Sequence, residues 1–483
     1  MKRLSILIAL LATVLQLSAA QSTLPNIIYI LADDLGYGDL GSYGQEKIET
    51  PHLDKIASEG MRFTQHYSGQ AVCAPARCSL LTGKHQGHAY IRNNKELPQE
   101  GQTPIPGDTF TIAKMLKTKG YATACVGKWG LGYPGSEGDP NNQGFDLFFG
   151  NNCQRHAHQF YRNYLWKNDQ KVMYPENKDI SGPNYSADEM RKEALQFIDE
   201  NKDGPFFLYY ATPIPHVSLQ VPDESLKQYE GRWPEKPYKG RYNAKTGKGY
   251  TGHATPRAAY AAMVSHMDRN IGMLMAKLDE HGLTDNTIVM FASDNGATYA
   301  GGADPKFFNG APNMRGLKGQ LYEGGIRVPF IARWPGQIAA GSTSEHISAF
   351  WDILPTFAEI VGAEVPSDVD GISLLPTLTG QGEQAQHEAL YWEFNSAHYN
   401  GGQIAVRMGD WKAVKVNQVS RGKGKKKKDA PFHGALELYN LKDDPKESNN
   451  LAAQYPELVD RMEAIIRREH TASELFPIKS LDL

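Results

Sequence analysis

The stretch Ala-Val-Cys-Ala-Pro-Ala-Arg-Cys-Ser-Leu-Leu-Thr-Gly at 71–83 holds the densest concentration of chemistry in the chain. Pro75 suits a helix start and Gly83 a stop, so the spacing predicts a short helix with Cys73 just outside its N-terminus. Free backbone N–H groups and the positive end of the helix dipole favour an anion there. Arg77, one turn into the helix, can fold back to the same place. A cysteine in such a corner reads as a low-pKa nucleophile. Taken alone, the stretch fits equally a packed cysteine on a capped helix.

Other polar residues follow apolar runs in the same manner. Asp33-Asp34 follows Asn26–Leu31, Lys128 follows Tyr121–Val126, His216 follows Pro205–Ala211, and Asp294-Asn295 follows Thr287–Ser293. Two adjacent carboxylates past a buried strand are costly unless a cation compensates them. Asp33, Asp34, Asp294 and Asn295 offer oxygen and no soft donor, which suits Ca²⁺ or Mg²⁺ rather than zinc. Arg77, Lys128, Lys318 and His216 add cationic donors. Singly, each lysine reads as a surface residue and His216 as a packed one. Together they describe a site for a tetrahedral oxyanion on a hard cation.

The elements that must position these residues alternate between strand and helix. Asn26–Leu31 is continuously apolar, as a strand buried on both faces is. Helices are predicted from Pro51, from Asp108 or Thr109 to Gly120, from a capping box at Ser186 and Glu189, from Pro256 to Gly282, and over 352–361. Val328–Trp334 is a further strand, and 133–185 reads as long and irregular. After about Val369 the pattern becomes short strands with turns, then a helix over about 456–470. The fold class is therefore α/β: a large, mixed, mostly parallel sheet sandwiched by helices, with a smaller C-terminal antiparallel sheet plus helix. The expected division is 1–20 signal peptide, 21–370 catalytic domain and 371–483 C-terminal subdomain, linked near Pro366–Gly371. In such sheets ligands bind beyond the carboxyl ends of the strands, where the polar residues above fall.

The 483 residues carry a net charge of −3, which argues against bulk nucleic-acid binding. Lys2 and Arg3, an apolar run from Leu4 to Leu17 and Ser18-Ala19-Ala20 form an export signal, cleaved near Ala20. The mature protein is expected in the periplasm or secreted, with no membrane anchor. Cys73 and Cys78 face different directions on one short helix and Cys125 lies in an apolar strand, which argues against two disulfides, while the sequence leaves the pairing of Cys153 open. The basic run Arg421–Lys428 reads as a solvated loop ahead of a polyanion-binding surface.

The 71–83 stretch resembles the signature of the formylglycine-dependent sulfatases: Cys-x-Pro-x-Arg, an apolar pair and Thr-Gly. The resemblance extends over nearly the whole mature chain and implies the alkaline-phosphatase-like fold. It implies that a formylglycine-generating enzyme oxidises Cys73 to an aldehyde. It also implies that Asp33, Asp34, modified Cys73, Asp294 and Asn295 hold a cation, Ca²⁺ ahead of Mg²⁺. Lys128 in Gly-Lys-Trp matches the family's sulfate-binding lysine, Lys318 its second lysine, and His216 the histidine that contacts the ester. The implied reaction is sulfate ester hydrolysis. One hydroxyl of the hydrated aldehyde attacks sulfur, Arg77 and the two lysines stabilise the sulfonyl oxygens, and His216 protonates the leaving alcohol. The second hydroxyl then loses its proton and expels sulfate.

The expected substrate is a sulfated carbohydrate, with Arg155, His156, His158 and Arg315 as candidate contacts. The chain departs from the family at Gly130, where Gly-Lys-Trp is usually followed by His. Either His156 or His158 replaces that imidazole, or the freed space admits part of a sugar. The rival readings are a phosphate or phosphonate ester hydrolase of the same superfamily and a non-catalytic polysaccharide-binding protein.

Overall fold

The computed structural model describes residues 24–98, 100–396, 402–416, 434–478 and 481–482. The expected export signal and the Arg421–Lys428 run lie outside the described residues. The larger sheet is built from β1 (Asn26–Ala32), β2 (Met61–Phe63), β3 (Ala122–Lys128), β4 (Leu147–Asn151), β5 (Tyr164–Lys167), β6 (Gln170–Met173), β7 (Phe206–Ala211), β8 (Thr287–Ser293), β9 (Phe330–Arg333) and β10 (Ser342–Ser344). Their order across it is β10-β2-β9-β8-β1-β7-β3-β4-β5-β6. The central run β8-β1-β7-β3-β4 is parallel. β9 runs antiparallel to β8 and β2, and β5 and β6 extend the far side antiparallel.

The apolar run of β1 has the meaning its pattern suggested. Ile28, Ile30 and Ala32 enter one core and Ile27, Tyr29 and Leu31 the other. The first core is closed by α1 (Pro51–Ser58), α4 (Ser186–Asn201) and α5 (Pro256–Glu280) through Leu53, Met190, Phe197, Met263 and Leu274. The second is closed by α2 (Cys73–Thr82), α3 (Ile112–Thr118) and α6 (Ile353–Val361) through Leu80, Leu81, Met115 and Phe357. With helices on both faces, each strand must be apolar on both, so alternation is suppressed.

Three local expectations change. The 133–185 region is not wholly irregular, since it supplies β4, β5 and β6. No capping box forms at Ser186, because the helix is entered through Tyr185 and the Glu189 carboxylate turns to Lys192 and Asn184. α3 begins later than predicted because Thr111, whose hydroxyl accepts from the Lys114 N–H, caps it. The expected linker, Pro366–Gly371, is held to the larger unit by hydrogen bonds. Asp370 takes the His88 ring at 2.7 Å and the His85 backbone N–H at 2.9 Å.

Strands β11 (Leu390–Phe394), β12 (Gln403–Met408), β13 (Trp411–Val416) and β14 (Leu436–Asn440) make the separate antiparallel sheet. One face packs Leu390, Trp392 and Val414 on Tyr67 and Trp351 of the larger unit. The other packs Tyr391, Ile404 and Leu438 on Met462, Ile465 and Ile466 of α7 (Pro456–Glu469). A buried ion pair fastens this sheet beside α2: Arg92 meets Glu393 at 2.5 Å and the Thr471 carbonyl at 2.6 Å. Arg92→Ala is expected to destabilise the protein by about 3–5 kcal/mol, because the buried carboxylate loses its partner. A lowered urea midpoint would show this. An unchanged one would mean that His470, 2.6 Å from the same carboxylate, suffices.

Candidate active site

The parallel strands bring their carboxyl ends to one edge, and the register aligns their last residues. Ala32 pairs with Ser293, so Asp33 and Asp294 leave adjacent strands side by side. Gly127 pairs with Ala211 one strand further along. Gly127 has φ +128°, and a Cβ there would lie 1.9 Å from the Ala211 carbonyl oxygen, so only glycine allows this approach. Lys128 is the last residue of β3 rather than the first beyond it, and it is fully buried.

Cys73 also shifts relative to expectation. It is the first residue of α2, and Val72 is the cap. The whole helix is buried, which places the thiol inside the protein at the strand ends. Cys73 Sγ lies 3.4 Å from Asp33 Oδ1 and 3.6 Å from Lys318 Nζ.

The buried charges form one network. Arg77 reaches Asp294 at 2.8 Å and Asp33 at 3.3 Å, and donates to the Lys128 carbonyl at 2.6 Å. Lys128 Nζ lies 2.5 Å from Asp33, and Lys318 Nζ 2.6 Å from Asp34. Asn295 Nδ2 donates to Asp34 at 2.8 Å, and the Asp34 backbone N–H donates to Asp294 at 3.1 Å. His216 Nε2 lies 3.5 Å from Asp34, while its Nδ1 faces the Val217 carbonyl. The structure thus gathers Asp33, Asp34, Cys73, Arg77, Lys128, His216, Asp294, Asn295 and Lys318.

Burial and charge divide these groups. Burial raises Asp33, but Lys128, His216, Arg77 and Lys318 outweigh it and hold the carboxyl well below its usual range. Asp294 moves the other way, to about 6, through burial and then Asp33. Burial, then the Asp294 and Asp33 carboxylates, push the Cys73 thiol far up. The thiol is therefore no low-pKa nucleophile, contrary to the reading of the isolated motif. The helix N-terminus is outweighed because the thiol is dry and faces carboxylates.

The site fits a hard divalent cation. Ligand atoms of Asp33, Asp34, Cys73 and His216 all lie within 4.8 Å of one another. Asp34 Oδ2 and Asn295 Oδ1 are buried with no hydrogen-bond partner among the described residues, as oxygens meant for a cation would be. The three carboxylates balance Arg77, Lys128 and Lys318 without surplus, so a divalent ion turns a neutral cluster into an anion receptor.

The candidate substrate contacts separate. His158 stacks on His216 with centroids 4.8 Å apart, and Tyr250 lies 5.3 Å from His158. His156 is buried against Tyr164 and bonded to Asn151 at 2.7 Å. Arg155 pairs with Glu96 at 3.7 Å. Arg315 is spent on the Tyr439 hydroxyl, the Glu447 carbonyl and Glu437 of the C-terminal region. The space beside Gly130 holds the Gln154 amide, a residue that no periodicity or motif marks out. Gly130 itself was its only signal. Cys73, Cys78, Cys125 and Cys153 are all free and buried, in line with the absence of disulfide spacing.

The sequence and the fold are similar to those of known proteins. A profile of the family described as Sulfatase matches residues 25–363, and one described as N-sulphoglucosamine sulphohydrolase, C-terminal, matches 317–471. The chain is 33% identical to N-acetylgalactosamine-6-sulfatase of Rattus norvegicus, over 84% of this chain and 74% of the relative. It is 30% identical to N-acetylgalactosamine-6-O-sulfatase of Bacteroides thetaiotaomicron, over 92% and 93%. Among solved structures, one in complex with its substrate D-glucosamine-2-N,6-O-disulfate superposes with a TM-score of 0.71 at 25% identity, covering 92% of this chain and 98% of that one.

Proposed function

The chain belongs to the sulfatase family, and we propose that it removes sulfate from a sulfated sugar at the cluster around Cys73. The observation that carries the site assignment is the buried meeting of Asp33, Asp34, Asp294 and Asn295 with Cys73, Arg77, Lys128 and Lys318. Pure carbohydrate binding has no use for that much desolvated charge, which costs stability unless a reaction exploits it. A sugar is the favoured substrate because the relatives named above act on N-acetylgalactosamine sulfate and a glucosamine disulfate.

Asp33, Asp34, Asp294, Asn295 and the oxygen that replaces Cys73 Sγ would hold the cation, with Ca²⁺ suiting this all-oxygen set. Once present, the Cys73-derived aldehyde hydrate supplies the attacking hydroxyl and the cation supplies charge against the sulfonyl oxygens. The remaining work belongs to the chain. Arg77 holds Asp33 and Asp294 at a fixed separation. Lys128, on Asp33, and Lys318, on Asp34, can donate to sulfonyl oxygens where charge develops. The Val217 carbonyl faces His216 Nδ1, which fixes the ring and aims Nε2 into the cluster, and the imidazolium form, protonated at both nitrogens, would pass its Nε2 proton to the leaving alcohol.

Two measurements test this reading. A panel of defined sulfated sugars, with 4-nitrophenyl sulfate and 4-nitrophenyl phosphate alongside, should show preferred release of sulfate from a sugar. Faster phosphate than sulfate release would favour the phosphate esterase reading. His216→Ala should slow sugar sulfates about 10²–10⁴-fold more than 4-nitrophenyl sulfate, whose phenolate leaves without a proton. Equal losses on both esters would assign His216 to binding instead.

A further inference from the structure

We propose that Gln154 is a specificity-determining residue that hydrogen-bonds a sugar hydroxyl beside the sulfate ester, from the place a side chain at position 130 would fill. This deepens, and rests on, the carbohydrate sulfatase reading. A Cβ on Gly130 would lie 2.3 Å from Gln154 Nε2 and 3.7 Å from the Ala74 methyl. Gln154 therefore borders the same point in space as the residue following Cys73. The position is held by backbone pairing beyond the strand ends: Trp129 N–H donates to the Asn151 carbonyl at 2.9 Å, and Gly130 N–H to the Asn152 carbonyl at 3.1 Å. The segment carrying Gln154 is thereby laid along the residues that follow Lys128.

Gln154 is 5% exposed, and neither its amide nitrogen nor its oxygen has a hydrogen-bond partner among the described residues. Asn152, fully buried two residues earlier, is in the same condition at both atoms. A folded protein seldom retains such amides without a use, because each unsatisfied buried group costs about 1–3 kcal/mol. The Gln154 amide presents a donor and an acceptor together. A sulfate group only accepts, so it would leave the Gln154 amide oxygen unpaired. A hydroxyl both donates and accepts and can satisfy either end of an amide. The matching partner is thus the polyhydroxylated part of the substrate, while Lys128 and Lys318 serve its anionic part. Replacing a contact of this kind lowers affinity for the ligand that fills it far more than for one that lacks the hydroxyl.

The experiment compares wild type and Gln154→Met, close in shape but without amide atoms. The substrates are the sulfated sugar that wild type desulfates fastest and 4-nitrophenyl sulfate, which has no ring hydroxyl. The ratio of kcat/KM for the sugar over that for the aryl ester should fall roughly 10–100-fold. Gln154→Asn, which withdraws the amide by one methylene, should lower the ratio in the same direction, and it guards against misfolding of the first variant. An unchanged ratio in both variants would overturn the proposal, whether the separate rates fall together or not at all. Failure of the underlying reading is visible in wild type alone: hydrolysis of the aryl ester with no sugar desulfated would remove the carbohydrate assignment and this proposal with it.

Discussion

Asp294→Ala should yield a protein that binds no divalent cation and hydrolyses sulfate esters roughly 10³-fold or more slowly, since a bound cation contributes several kcal/mol of charge stabilisation. Asp294 sits between Arg77 at 2.8 Å and the Asp34 backbone at 3.1 Å, so its loss removes an oxygen donor and loosens the turn that presents Asp34. Arg77 would keep Asp33 at 3.3 Å, which leaves the buried guanidinium partly compensated and the fold intact. Metal content by mass spectrometry, thermal melting with and without added Ca²⁺, and turnover of 4-nitrophenyl sulfate check the three parts separately. Chelated wild type should lose activity and regain it on addition of Ca²⁺. A variant that keeps stoichiometric metal and full turnover would exclude Asp294 from the cation site.

Cys73→Ala should be more severe, on the order of 10⁶-fold, the scale of losing a covalent nucleophile. The thiol itself gives no substitute. It is buried and faces two carboxylates, and both push its ionisation above the usual thiol range. Activity is therefore expected to follow conversion of Cys73 to an aldehyde. Protein made in a host without the converting enzyme should carry the thiol and be inactive. Protein from a host with it should show the aldehyde in the peptide containing 71–83. Active protein whose Cys73 is wholly unmodified would overturn the mechanism.

Much of the site and the fold lay open in the linear chain, for a physical reason. A strand packed on both faces must be apolar throughout, so β1 and β8 are legible as uninterrupted runs, and the Asp-Asp and Asp-Asn pairs stand out because they end them. Helix boundaries set by local geometry, as at Pro51 and Pro256, were equally plain. The chain also marked its one departure, Gly130, without saying what stands there. Boundaries set by distant partners were not plain. The Ser186 and Glu189 pattern is a sound local cap, yet Glu189 finds Lys192 and Asn184 instead.

Which residue types reach the carboxyl edge follows from the linear chain for the parallel strands, because right-handed crossovers bring their carboxyl ends to one edge whatever the loops do. How those residues divide the charge is a property of the folded molecule. Arg77 bridges Asp33 and Asp294 across elements more than 200 positions apart, and Lys318 enters from a glycine-rich loop with no period to read. Tertiary packing also reversed the expected acidity of Cys73, since desolvation and facing carboxylates act through space and leave no mark on the motif. It set Arg155 on Glu96 and Arg315 on the C-terminal sheet, and it placed Gln154 where Gly130 leaves room. Side-chain partners chosen across loops depend on close packing in three dimensions, and that information is absent from spacing along the chain.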